Sequence, residues 1–285
     1  MSSDDLNIML RSFRRRLAVI RVLRIALIVL FLLAFIWADQ LDEPDDKHMM
    51  FLVFAAAVLT WILLVIGSTQ TGREVQTASV LLNIGKLDDA EVWLHKAMGR
   101  FSLSARGKVI ACQQLAALFM RREQYAEVVL ICRTLLRRRL CRLHSVWINT
   151  RLLLADSLLY MDRVYEAYQA VRPMYDVPLT LADRMKLLPI QLRYELAADQ
   201  AASAVVALKE KIEIAELLDA PRAALVHALL AEACRRRNMR PQYNFLIERA
   251  RLYYDLDKLA ERYPILTPVV ADTNTIVSDL PEGHA

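Results

Sequence analysis

Glycine is scarce in this chain: there are 6 in 285 residues, at Gly67, Gly72, Gly85, Gly99, Gly107 and Gly283. So few exclude collagen-like and low-complexity chains. They also leave too little turn chemistry for a sheet-rich fold. Their wide spacing leaves no glycine loop able to cradle a phosphate. The four cysteines, Cys112, Cys132, Cys141 and Cys234, form no CxxC pair. Zinc-ribbon and thioredoxin-like modules therefore lack their spacing. Each cysteine sits in an apolar helical pattern and reads as a small buried hydrophobe of a reducing compartment. No HExxH, GxSxG or kinase-like set occurs. The histidines, His48, His95, His144, His227 and His284, share no metal-ligand spacing. The one tempting acidic pair, Asp88-Asp89, opens a helix and complements its dipole. No catalytic residue, cofactor or metal is expected, and the chain does not read as an enzyme.

What the chain has in excess is apolar side chains, 56% of the total, against roughly 45–50% in ordinary soluble domains. Part of the excess is local. Ile25 to Ala38 contains no charge, and Leu17 to Trp37 would extend roughly 31 Å as a helix. Met49 to Gly67 is also free of charge. These runs predict transmembrane helices at 17–38 and 49–67, joined by a short acidic external loop at 39–48. Two buried core helices, or a cleavable signal peptide for the first run, are the alternatives. Basic residues flank the pair on both sides, beginning with a basic N-terminal segment at 1–16. The expectation is an integral protein of a bacterial cytoplasmic membrane with both termini cytoplasmic.

The remaining excess is periodic. From Arg73 to about Tyr263 the chain reads as helix after helix. A position ahead of each second-helix stripe falls at Ala90, Val128, Ala167, Val205 and Tyr243, at intervals of 38, 39, 38 and 38 residues. The stripe ends at Ala97, Leu135, Met174, Ile212 and Ala250. A large–small dipeptide recurs as Leu115-Ala116, Leu154-Ala155 and Leu230-Ala231, and the fourth unit breaks it with Leu192-Arg193. Turns are expected near Gly85, Glu123, Asp162, Gln200 and Asn238. The units run from about 73 to 99, 105 to 140, 145 to 174, 180 to 217 and 221 to 260. Pro178 and Pro221 fit helix starts. A non-repeating helical bundle is the other all-α arrangement. The tail at 264–285 carries Pro268, Pro281 and several acids, and is expected to be extended or disordered.

The segment from Gly85 through Ala90 and Leu94 to Ala97 resembles the turn and second helix of a tetratricopeptide repeat. The resemblance extends in divergent form over 73–263 and implies an α-solenoid of about five helix–turn–helix units there. With the two spans expected ahead of it, the chain reads as all-α, a two-helix transmembrane hairpin followed by that solenoid. Some bacterial envelope and haem-biosynthesis-associated proteins are similar in layout. The family lines a concave groove with the first helix of each unit, and that groove holds a peptide or partner helix. The register implies Gln113, Arg121, Asn149, Asp156, Tyr160, Tyr194, Glu232, Arg235 and Arg236 as partner-binding candidates. The set lacks the Lys/Asn/Arg clamp that chaperone-binding members use on a carboxylate. The basic clusters Arg14, Arg15, Arg16 and Arg137, Arg138, Arg139 could contact anionic lipid headgroups. A net charge of +5 is too mild for a nucleic-acid footprint. The function expected is a membrane-anchored scaffold or adaptor for a protein or peptide partner. The alternative is an accessory subunit of a larger membrane enzyme or transporter complex.

Overall fold

The computed structural model describes residues 3–38, 46–100, 105–137 and 144–278. All regular structure among them is helical. The chain divides into two compact units, Met1–Leu153 and Leu154–Ala285. The division falls inside one helix, α6 (His144–Tyr160).

The first unit opens with two long helices, α1 (Ser3–Ala38) and α2 (Asp46–Ile84). Leu6, Leu10, Phe13, Leu17 and Ile20 of α1 are buried. Their alternating spacing of four and three residues puts them on one face, and α1 packs on α2 and α5. The second half of α2 buries Thr71, Val75, Ala78 and Leu82 against α3 (Leu87–Gly99) and α4 (Ala105–Arg121). Helix α5 (Tyr125–Arg137) packs on α4 and buries Val128, Ile131, Cys132 and Leu135.

Among the described residues no helix is long and apolar enough to cross a membrane. This overturns the expected spans at 17–38 and 49–67, the external loop between them and the integral membrane placement. Leu17 and Ile20, which open the first expected span, continue the buried stripe that begins at Leu6. The second apolar run is one part of α2, which continues unbroken through Gly67 into the first repeat position. Farther along α1, Ile25, Ile28, Leu32 and Leu33 are exposed, as are Phe54, Leu59 and Trp61 on α2. Residues 39–45 of the acidic segment lie outside the described residues.

The second unit contains α7 (Val164–Val171), α8 (Leu181–Ala197), α9 (Ala201–Ala204), α10 (Leu208–Ala215), α11 (Ala220–Arg236) and α12 (Arg240–Tyr253). Helix α8 starts at a capping box, in which the Thr180 hydroxyl accepts from the Asp183 N–H and Asp183 reaches back to the Thr180 N–H. It continues through Pro189. Helix α11 is buried at every residue from Ala223 to Cys234. A helix buried all round needs neighbours on every side. Its neighbours are α8, α9, α10, α12 and a C-terminal segment made of α13 (Leu256–Arg262), a 3-10 turn at Pro264–Leu266 and α14 (Thr267–Ser278). Residues 264–278 are therefore helical rather than extended, because Leu266 and Val269 are buried in the unit's core. Residues 279–285 of the expected tail lie outside the described residues.

Five turns share one geometry. Gly85, Glu123, Asp162, Asp199 and Asn238 have φ of 87°, 59°, 57°, 56° and 56°. The next residue's N–H bonds back to a carbonyl five positions earlier: Lys86 to Leu81, Gln124 to Phe119, Arg163 to Leu158, Gln200 to Glu195 and Met239 to Cys234, at 2.7–3.0 Å. This is the left-handed helix stop that satisfies orphan carbonyls and reverses the chain. Four turns fall where the periodicity puts them. The fourth falls at Asp199, one residue before Gln200. The position that closes the first turn of each second helix is consequently Ala90, Val128, Ala167, Ala204 and Tyr243, with Ala204 in place of the expected Val205. Ala204 is fully buried and Val205 only partly. The fourth second helix is also broken, with Ala207 left-handed at φ 53° between α9 and α10.

Candidate partner-binding face

In the first unit the candidates serve packing. Gln113 is buried, and its Nε2 donates to the Val146 carbonyl at 3.2 Å. Arg121 donates from Nη1 to the Leu82 carbonyl. That carbonyl lies three residues before the turn residue Gly85, at the negative end of a helix. Asn149 is half-buried on α6. The adjacent Arg122 meets Asp88 at 2.5 Å and Glu91 at 2.7 Å. Of the basic clusters, Arg15 and Arg137 are exposed. The side chain of Arg14, together with Arg138 and Arg139, lies outside the described residues. Arg16 donates to the Gly99 carbonyl at 2.9 Å, at the C-terminus of α3. Lys108 is buried beside it, and burial together with the Arg16 charge pushes its ammonium below the ordinary lysine range.

In the second unit the candidates separate by register. Arg236 donates from Nη1 to the Leu196 carbonyl at 2.8 Å. Arg236 is two residues before its turn, and Leu196 is three before the preceding one. This repeats the Arg121–Leu82 contact. Glu232 is fully buried and accepts from Arg235 Nε and Arg236 Nε, each at 2.7 Å. Tyr194 is buried on the side of α8 that meets α7. Its hydroxyl lies 2.6 Å from that of Tyr175, and its ring is edge-on to Tyr168. Burial, then the Tyr175 contact, raises its pKa. The early fourth turn explains this placement. Six residues before each turn lie Asp156, Arg193 and Glu232, so Arg193 holds the place in α8 that an unshifted register assigns to Tyr194.

Arg193 is the residue that periodicity alone misses. It is buried on an A-helix, the first helix of its pair, and bonds Asp156 through Nη1. Its guanidinium lies 4.5 Å from the Tyr160 ring centroid and 4.9 Å from that of Tyr263. Arg262 Nε donates to the Tyr160 hydroxyl at 3.3 Å. Asp272 of α14 lies 3.9 Å from Arg235. The C-terminal segment therefore meets the face in sequence order. Arg262 and Tyr263 reach Tyr160 and Arg193, Leu266 and Val269 enter the core beside α8 and α11, and Asp272 reaches Arg235. Burial, followed by its contact with Tyr160, holds the Tyr263 phenol above the ordinary tyrosine range. The one early signal for this segment is the three-residue spacing of Leu256 with Leu259 and of Leu266 with Val269.

Cys112, Cys132 and Cys234 are buried. Burial pushes Cys234 up to about 11, so it stays a thiol at neutral pH. Cys141 lies outside the described residues. Among those residues no group of three His, Cys, Asp or Glu side chains could hold a metal ion. Comparison with protein-family models, with curated proteins and with solved structures finds no match.

Proposed function

We propose that this chain is a tetratricopeptide-like repeat protein acting as a scaffold or adaptor, which holds a partner protein on the face that the first helices of its second compact unit form. The observation that carries this reading is the line Asp156, Tyr160, Arg193, Glu232 and Arg235. Tyr160, Arg193 and Arg235 meet a segment of non-repeat chain at 262–272, and Asp156 and Glu232 hold the two arginines in place. Such a face offers ion pairing, cation–ring contact and an apolar strip together, which is the chemistry of segment recognition.

The test is affinity capture from an extract of the source organism, comparing wild type with Tyr160→Ala plus Arg193→Ala. Tyr165→Ala, on exposed α7 surface, serves as the control, and circular dichroism checks folding. A partner recovered by wild type and the control and lost from the double variant is expected. The same proteins recovered by all three would refute the face assignment.

The exposed apolar side chains of α1 and α2 support a second reading, a fixed subunit of a larger protein complex. That reading expects partners indifferent to the double variant and lost on Ile28→Asp plus Leu32→Asp.

A further inference from the structure

We infer that the C-terminal segment 255–278 is an intramolecular ligand of this face, and that a partner gains access by displacing it with a segment of the same chemistry: a basic residue and an aromatic, then Pro and two aliphatic residues, then an acid several positions on. This deepens the reading of the first-helix face as the partner site and rests on it.

Three observations converge. Polar contacts run in order along the segment, from Arg262 on Tyr160, through Tyr263 on Arg193, to Asp272 near Arg235. These are face positions that the repeat register marks independently of the tail. The segment lies outside the repeat, since no left-handed turn follows Asn238 among the described residues. Its helices are also too short to persist undocked. Helix α13 has 7 residues, the 3-10 turn 3 and α14 12, at or below the ~12–15 at which an isolated helix is marginal in water. Its order depends on the face, and its release uncovers the side of α8 and α11 against which Leu266 and Val269 pack.

The experiment titrates a fluorescent peptide of residues 255–278 into two forms of the protein. One is the full chain. The other is the full chain cut at a protease site placed between Tyr254 and Asp255, with the released segment removed. Binding to the cut form at least tenfold tighter than to the intact chain is expected, and Arg193→Ala in the cut form should weaken it at least tenfold. Equal binding to both forms, or no binding to a cut form that keeps its helical circular dichroism, would overturn the inference. Should the cut form lose its helicity, the full-length variant Tyr263→Ala plus Leu266→Asp replaces it. Peptide binding to that folded variant supports the inference, and failure to bind overturns it. No partner protein is present in this titration. Its outcome is therefore independent of extract capture, which bears on the partner reading alone.

Discussion

Removing the Asp156 carboxylate leaves the Arg193 guanidinium in a site where its side chain is only 10% exposed, while Asp156 itself is 28% exposed. Breaking a fully buried pair costs about 3–5 kcal/mol, and breaking an exposed one about 0.2–1 kcal/mol. One partner here keeps some water, so Asp156→Ala should cost about 2 kcal/mol. Arg193→Met removes the same pair and the contacts with Tyr160 and Tyr263, which add about 0.5–1 kcal/mol at such exposure. It should cost about 2–3 kcal/mol. With both changes no charge is stranded, and the double variant should lose no more than Arg193→Met alone, about 2–3 kcal/mol, a coupling of about 2 kcal/mol. Urea unfolding can be read separately in each unit. The four tryptophans, at 37, 61, 93 and 147, all precede residue 154, whereas nine of the ten tyrosines follow it. The loss should appear in tyrosine near-ultraviolet circular dichroism. Additive single losses, with coupling below about 0.3 kcal/mol, would refute the argument that the two side chains form one buried pair.

Further outcomes follow from other sites. His227 is fully buried, its Nε2 lies 3.3 Å from Glu216 Oε1, and its ring stacks on Tyr253. Burial lowers its pKa, with the Glu216 charge opposing and that of Arg249 assisting. Below pH 6.5 the unfolded chain therefore binds a proton that the folded chain refuses. Stability should fall as pH drops through that value, by up to about 1.4 kcal/mol per pH unit, and His227→Gln should flatten the slope in urea unfolding at pH 5–7. Ala207 is left-handed at φ 53°, so Ala207→Gly should raise stability by about 0.5–1 kcal/mol, read as a higher melting temperature. Gly85→Ala should lower it by about 1 kcal/mol. Nothing lies within 4 Å of the added Cβ, so the cost is conformational. Arg236→Lys should destabilise the second unit by about 1–2 kcal/mol, because a lysine cannot span Glu232 and the Leu196 carbonyl with one planar fork.

Much of the helical layout is legible in the sequence, since helix packing repeats at a fixed interval. Ala116, Ala155 and Ala231 are fully buried where the large–small dipeptide puts them. The fourth unit is not legible to one residue. Its turn carries Asp199 and its neighbours lack the Leu-Ala pair, so nothing local marks the left-handed position. That single residue separates Tyr194, packed inside, from Arg193 on the face. The C-terminal helices were hidden because Pro264, Pro268 and nearby acids look like tail composition. Their order comes from burial of Leu266 and Val269 in a distant part of the chain. The apolar runs misled for a related reason. Composition alone does not distinguish a membrane span from a long helix whose stripe, from Leu6 to Ile20, packs against its own domain.

Hydrogen exchange of the full chain, free and with excess 255–278 peptide or a captured partner, bears most directly on the claim of a partner-binding face covered by its own tail. The account predicts that amides of 256–262 and 267–272 in the chain's own tail lose protection when the competitor is added, while α8 and α11 stay protected. Unchanged protection of those amides at saturating competitor would contradict it.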